Sequence, residues 1–419
     1  MPRTSPIRST FNAGELSPLV DGRIEISKYS NGAATCLNFI PAVQGPAVRR
    51  AGTRYVSEIK NSNNRCWLSR FEFNVNQSYV LEWGDKYIRF YTNHGQLQLS
   101  STPTAWSSAT AYAIGDLVSR SGVNYYCIAA HTNQVPPNTT YWYALTGTIY
   151  EIPTPYAIAD LTDATDNTFT LDMVQTGDQI YIVHPSYPVY QLSRYGVTKW
   201  TLQKATFKYG PFKDQNTDKT VTVYASGTSG SVTLTASSGI WSSGHVGSVF
   251  YLEPADLSLI KPWYAGEEFS SNPVNTYRRS NGCTYICATN GTPTAGKVWR
   301  TGGDTPIHTY GTQADGDGNG KAGTVVEREG LDWTFVDNGR GYVTITGFTS
   351  STQVTATVSG DFPLPMGVSG SANATFRWAQ GSFSDVEGYP SKVTFFRERL
   401  TLVKGEQLFF SVAGDFPNF

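Results

Sequence analysis

Along most of the chain apolar and polar residues alternate in short runs. "SYVLEWGDKYIRFYTNHGQLQL" (78–99) reads as successive strands turned at Gly84-Asp85 and His94-Gly95. "DQIYIVHPSYPVYQLSRYG", "TVTVYASGTSGSVTLTASSG", "GYVTITGFTSSTQVTATV" and "SKVTFFRERLTLV" repeat the pattern. No run supports a βαβ succession, so the expected class is mostly β with many hairpins. Helical spacing occurs once, at Ile26, Tyr29, Ala33, Leu37 and Ile40, and predicts one short helix weakened at Asn31-Gly32.

"FNAGELSPLVDGRIE" (11–25) fits neither period. Gly14, Pro18 and Gly22 interrupt it regularly, against both helix and central strand. Its apolar residues Phe11, Leu16, Leu19 and Val20 predict an extended arm that takes its structure from the rest of the chain or from another subunit. The bland alternative is a floppy terminus, which leaves four large apolar residues unexplained.

Composition narrows the function classes. The formal net charge of -1 over 419 residues creates no overall field toward nucleic acid or membrane. Only 16 % of residues are charged, while Gly (40), Tyr (25) and Phe (21) are plentiful, as short strands and tight turns require. The apolar runs are too short for a membrane-spanning helix. "MPRTSPIRST" lacks the following apolar core of a secretory signal. The cysteines, Cys36, Cys66, Cys127, Cys283 and Cys287, are too few for a disulfide scaffold. On a strand Cys283 and Cys287 would sit roughly 13 Å apart, beyond disulfide reach of about 7 Å. A reduced, cytoplasmic origin is expected.

Two segments repeat one another. The first is "WSSATAYAIGDLVSRSGVNYYCIAAHTNQVPPNTTYWYAL" (Trp106 to Leu145); the second runs from Trp263 through "SNGCTYICATNGTPTAGKVW" to Trp299 and on toward Trp333. Both carry G-x-x-Y-x-C, at Gly122, Tyr125, Cys127 and at Gly282, Tyr285, Cys287, between flanking tryptophans. Small modules inserted twice account for this, and at their size aromatic stacking must do much of the packing. Strand-like text on both sides of the first, "LQLSSTP" and "GTIYEIP", marks it as a loop insertion projecting from the body.

Enzyme signatures are poor. The histidines His94, His131, His184, His245 and His308 are scattered, and no H-x-x-x-H, G-x-S-x-G or phosphate-binding G-x-x-x-x-G-K-[ST] occurs. His184, Glu82 and Asp160 lie at strand ends and turns, so no catalytic step is expected of them. Two carboxylates for sugar hydrolysis need only meet in space, and nothing singles out a pair. In "DGDGNG", Asp315, Asp317, Asn319 and Gly320 match the start of a calcium loop, but position 12 is Val326, with Glu327 one residue late; a polar turn is the preferred reading. Arg49-Arg50 and Arg278-Arg279 are too sparse for a duplex-binding face. No metal or cofactor is expected.

The opening stretch "FNAGELSPLVDGRIEISKYSNGAATCLNFIPAVQGPAVRRAGTRYV" resembles the start of the tail nozzle proteins of short-tailed bacteriophages, also called tail tubular protein B-like or tail hub proteins. The resemblance recurs in "LSRFEFNVNQSYVLEWGDKYIRFYTNHGQL", "IYEIPTPYAIADL", "LDMVQTGDQIYIVHPSYPVYQLSRYGVTKWTL" and "GYPSKVTFFRERLTLV" with "LFFSVAGDFPNF". It implies a propeller-like multi-hairpin core with an N-terminal arm and helix platform, in a non-catalytic hexameric ring below the portal and adaptor. Such a ring conducts and retains double-stranded DNA, anchors fibres or spikes, and belongs to the virion tail, assembled in the host cytoplasm without inserting into membrane. A charge-poor chain suits such a conduit, since tight phosphate binding would stall the genome. The arm residues Phe11, Leu16, Pro18, Leu19 and Arg23 would then contact a neighbouring subunit or the adaptor. Relatives of this kind usually continue past a segment like "AGDFPNF", which implies a truncated chain or one completed by another polypeptide.

The first insert, with Y-x-x-G-D-x-V and Y-x-C-x-x-x-H-T, resembles the small chitin- and cellulose-binding modules; the second copy is similar more loosely. In that pattern Trp106, Tyr112 and Tyr125 are core. Tyr141, Trp142 and Tyr143 cannot all be buried on one side of a strand, so at least one is expected exposed, for a sugar face or a fibre subunit. The expected layout is arm and platform (1–66), first β-core segment (67–104), first module (105–148), second core segment (149–210), a β segment (211–256), second module (257–340) and third core segment (341–419). The competing function is a secreted or surface carbohydrate-binding or glycan-degrading protein.

Overall fold

The structure, a computed structural model, describes residues 7–74, 77–290, 298–316 and 330–419. The chain divides into two compact units, 1–58 and 59–419.

The first unit holds short pieces rather than a platform of helix. Gly14–Glu15 pairs in parallel with Gly32–Ala33, and Phe39–Pro41 with Ala47–Arg49 antiparallel. The predicted helix around Ile26 to Ile40 is a correction: a 3-10 turn at Tyr29–Asn31 leads directly into the Gly32–Ala33 bridge. Packing explains the break. A Cβ added at Gly32 would lie 2.3 Å from the Leu16 side chain, so close approach of the arm requires glycine there. At Pro18–Val20 the Ser17 hydroxyl accepts the Leu19 N–H (3.3 Å), with proline in the first turn. Among the described residues of this unit only Gly14, Gly32 and Gly45 are buried, whereas Leu19, Ile24 and Val43 are 84–90 % exposed. Among its described residues the unit has no apolar core of its own.

In the second unit, Trp67–Asn74, Gln77–Gly84, Tyr87–Thr92 and Glu151–Pro153 form one antiparallel sheet. A four-stranded meander, Asp172–Thr176, Gln179–His184, Tyr187–Gly196 and Lys199–Lys204, faces it. Their shared core is aromatic: Phe71 and Phe90 each lie 4.7 Å from Trp200, and all three are fully buried. The unbroken apolar run "IYIV" is buried on both faces. Ile180 and Ile182 enter this core, while Tyr181 and Val183 pack on Val393, Leu400 and Leu402 of a third sheet, Lys392–Phe396, Arg399–Lys404 and Gln407–Phe410. Three sheets stacked in this way are as far as the propeller-like expectation goes among the described residues.

A separate six-stranded sheet runs in the order Val223–Ala225, Ser231–Ala236, Gln353–Val358, Gly341–Ser350, Val249–Leu252, Trp378–Gln380, over a core that includes Leu234, Phe250, Val343 and Val354. Both small modules interrupt hairpins. The first separates Tyr87–Thr92 from Glu151–Pro153, paired at Arg89 and Glu151. The second separates Val249–Leu252 from Gly341–Ser350, paired at Leu252 and Gly341. Strands already in register hold the ends of each insertion close together.

Candidate functional site

The first module is a three-stranded sheet, Leu117–Arg120, Val123–Cys127 and Trp142–Ala144, beside a strand pair, Ala111–Tyr112 with His131–Thr132. Gly122, at φ +79°, makes the tight hairpin turn. Alternation along Val123–Cys127 sorts its side chains. Tyr125 and Cys127 enter a module core with Tyr112, Val118 and Trp142, against which Trp106 and Tyr141 pack. Tyr126 points the other way, into the aromatic core of the body, and its hydroxyl donates to the Trp200 carbonyl (2.8 Å). Burial raises the Tyr126 hydroxyl well above its usual pKa and pushes the Cys127 thiol up to about 11. Both groups are inert at neutral pH.

The three consecutive aromatics divide among three environments. Trp142 is 2 % exposed, with its indole N–H donating to the Gln134 carbonyl (2.7 Å). Tyr143 packs against the body core, its hydroxyl donating to Glu151 Oε1 (3.2 Å) and accepting from Lys60 Nζ (2.8 Å). Trp142 and Tyr143 are therefore packing residues, and none of the three aromatics has the full exposure expected of at least one of them. Tyr141 remains. It is half-buried, its ring 5.0 Å from His131 in an edge contact. The loop leading to it is pinned: Arg120 covers the Trp106 ring at 5.6 Å and donates to the Pro136 carbonyl. Asn133, Val135, Asn138, Thr139 and Thr140, in the loop that leads to Tyr141, are exposed. His131 packs edge-on to Tyr141 and Trp142, and burial lowers its pKa, so the imidazole is neutral at pH 7. A fixed aromatic ring edged by amides and hydroxyls is the chemistry that fits a sugar, with C–H groups on the ring and hydroxyls on the rim.

The module is not the free projection expected from its flanks. Leu117, Tyr126, Ile128 and Tyr143 join the body core, and Lys199 pairs with Asp116 at 3.3 Å. Below the junction lies a buried network that sequence reasoning missed. Fully buried Glu151 accepts from Arg89 Nε (2.8 Å) and Lys60 Nζ (2.6 Å). Burial alone would raise its pKa; the hydrogen bonds from Lys60 and Arg89 outweigh that and lower it. The available signal was a Glu and an Arg inside apolar strands.

The second insertion repeats the strand layout of the first and adds a fourth strand, Thr312–Ala314, at the edge of its sheet. Tyr277–Ser280, Cys283–Cys287 and Asp332–Asp337 replace the three strands, and Glu268–Phe269 with Trp299–Arg300 replaces the strand pair. Cys127 faces Trp142 in one module, Cys287 faces Trp333 in the other. Trp106 N–H donates to Ser119 O, and Trp263 N–H to Arg279 O. The hairpin glycines Gly122 and Gly282 have φ +79° and +78°. Asp315, 1 % exposed, is unique to the second copy: it accepts the indole N–H groups of Trp333 (2.8 Å) and Trp263 (3.4 Å) and the Leu331 N–H (2.7 Å). It is thus a core acceptor; Asp317, Asn319, Gly320, Val326 and Glu327 of the calcium-loop reading lie outside the described residues.

Of the remaining expected residues, Asp160 and His184 come together around Tyr187, whose hydroxyl donates to Asp160 (2.7 Å). Glu82 lies elsewhere, accepting the Tyr87 (2.6 Å) and Tyr91 hydroxyls. In the arm, Phe11, Pro18 and Leu19 are exposed, Leu16 is half-buried, and Arg23 pairs with Glu25 at 2.6 Å.

Comparison with known proteins agrees with the geometry of the first insert. Residues 105–142 match carbohydrate-binding module family 5/12. No curated protein matches the chain. The chain therefore carries a small carbohydrate-binding-like module set into a mostly β body.

Proposed function

We propose that this protein is a glycan-binding surface component whose first module holds a β-linked polysaccharide of the chitin or cellulose kind against Tyr141. The observation that supports it is the family match on residues 105–142, laid over a complete module fold. The body acts as a scaffold rather than a glycosidase: Glu82 and Glu151 are 0–1 % exposed and committed to neighbouring hydroxyls and cations. Retention of the whole protein on insoluble chitin and cellulose tests this reading. Wild type is retained and Tyr141→Ala elutes early; equal elution of both from inert resin and from polysaccharide contradicts it.

A second reading concerns where that surface is. The exposed apolar side chains of the 1–58 unit favour a ring protein of a short phage tail, in which Phe11, Leu16, Pro18, Leu19 and Arg23 pack on a neighbouring subunit or the adaptor. In this form the chain is one subunit of a hexameric, non-catalytic nozzle below the portal, giving passage to DNA and attachment to fibres or spikes.

A further inference from the structure

A cavity of about 650 Å³ opens where the second module meets the six-stranded sheet. One wall is the hairpin Arg279–Thr284 with Trp263; the other comes from Tyr251 and Glu253 and the loop after them, closed by Asn338 and Arg340. By the correspondence of the two modules, this hairpin is the counterpart of Ser119–Asn124, whose Arg120, Ser121, Gly122 and Val123 are exposed. In the second copy the same hairpin has gained an opposing wall. The volume lies within the range of small-ligand sites, about 300–1,000 Å³.

The lining has an unusual charge balance. Arg279 and Arg340 both face the cavity, and among the described residues neither is ion-paired with a carboxylate. Arg279 spends its Nε on the Ile260 carbonyl (3.0 Å), which fixes the plane of the guanidinium. Glu253 is neutralised by Arg377 at 2.6 Å. That leaves two arginines against Asp256, a net positive wall. Asn281 and Asn338 add amide donors and acceptors, and Leu257, Leu259 and Pro262 an apolar side. Guanidinium forks match carboxylates bidentately, amides serve hydroxyls, and an apolar wall serves the C–H face of a pyranose. We propose that this cleft is a second binding site, and that it takes an acidic sugar: a hexuronate unit held by its carboxylate.

The test is calorimetric titration of the full chain with trigalacturonate, with its fully methyl-esterified form, and with inorganic phosphate. Trigalacturonate binds, the ester does not, and excess chitohexaose fails to displace the acid, which separates this site from Tyr141. Arg340→Ala, at an exposed position whose guanidinium also lies 5.9 Å over the Tyr209 ring, weakens the acid about tenfold or more with the thermal melt unchanged, and Arg340→Lys restores part of the loss. No binding of trigalacturonate, equal binding of the ester, full competition by phosphate, or an unchanged Arg340→Ala each overturns the proposal.

Discussion

His184 is 7 % exposed, packed against Tyr156 and Tyr187, and its Nδ1 accepts the Ser186 N–H at 3.1 Å. That bond requires an unprotonated Nδ1. Burial is the larger influence and lowers the pKa below 6.5, while the nearby Asp160 carboxylate opposes it. The unfolded chain therefore binds the proton more readily. The stability that His184 contributes is fully present above pH 6.5 and is lost as pH falls from there toward the folded value. Thermal melts between pH 7.5 and about 5 check this: wild-type Tm drops on acidification, and His184→Asn, which keeps an acceptor but does not titrate, flattens the drop. Parallel slopes for the two proteins would assign the acid sensitivity to other groups. Tyr141 illustrates the same scale for function. It packs against the edge of the module core yet stays half-buried, whereas Trp142 lies inside that core and Tyr143 is tied to Glu151.

At the scale of elements, each module is held at a hairpin whose strands pair without it. The first is further locked by Glu151, which ties Arg89 on the neighbouring strand and Lys60 before the first sheet. Removing one partner of a buried ion pair strands the other charge, so Glu151→Ala is expected to cost about 3–5 kcal/mol. Urea unfolding monitored by tryptophan fluorescence measures it, and a loss under about 1 kcal/mol would mean that the network adds little net stability. The strands were legible in the sequence because period-2 alternation and turn residues coincide at "SYVLEWGDKYIRFYTNHGQLQL", and the repeat was legible because Gly-x-x-Tyr-x-Cys marks one hairpin twice. The helix near Ile26 was misread because the steric demand of Leu16 against Gly32 is a long-range fact that local spacing does not carry. Likewise alternation announced that Tyr141, Trp142 and Tyr143 must separate, but which side met the body depended on the core around Trp200, distant in sequence, and on Glu151 in the strand that follows the module. The arginine-lined cleft had no linear signature, since Arg279 and Arg340 meet only through the fold.

For the whole molecule, the contrast between the two units carries the assembly reading. Residues 59–419 bury several aromatic and aliphatic cores; the described residues of 1–58 bury three glycines. Deleting residues 1–25 should abolish ring formation, followed by native mass spectrometry, and leave the far-ultraviolet β signature intact; rings formed by the deleted protein would contradict the arm's role. Glycan recognition is the more central claim, and titration calorimetry of the intact protein with chitohexaose and cellohexaose tests it most directly. The account predicts saturable binding of at least one of them, weakened about fivefold by Tyr141→Ala, as the loss of one aromatic stacking contact of on the order of 1 kcal/mol implies. Absence of heat and of saturation with both sugars, or binding indifferent to Tyr141→Ala, would contradict it.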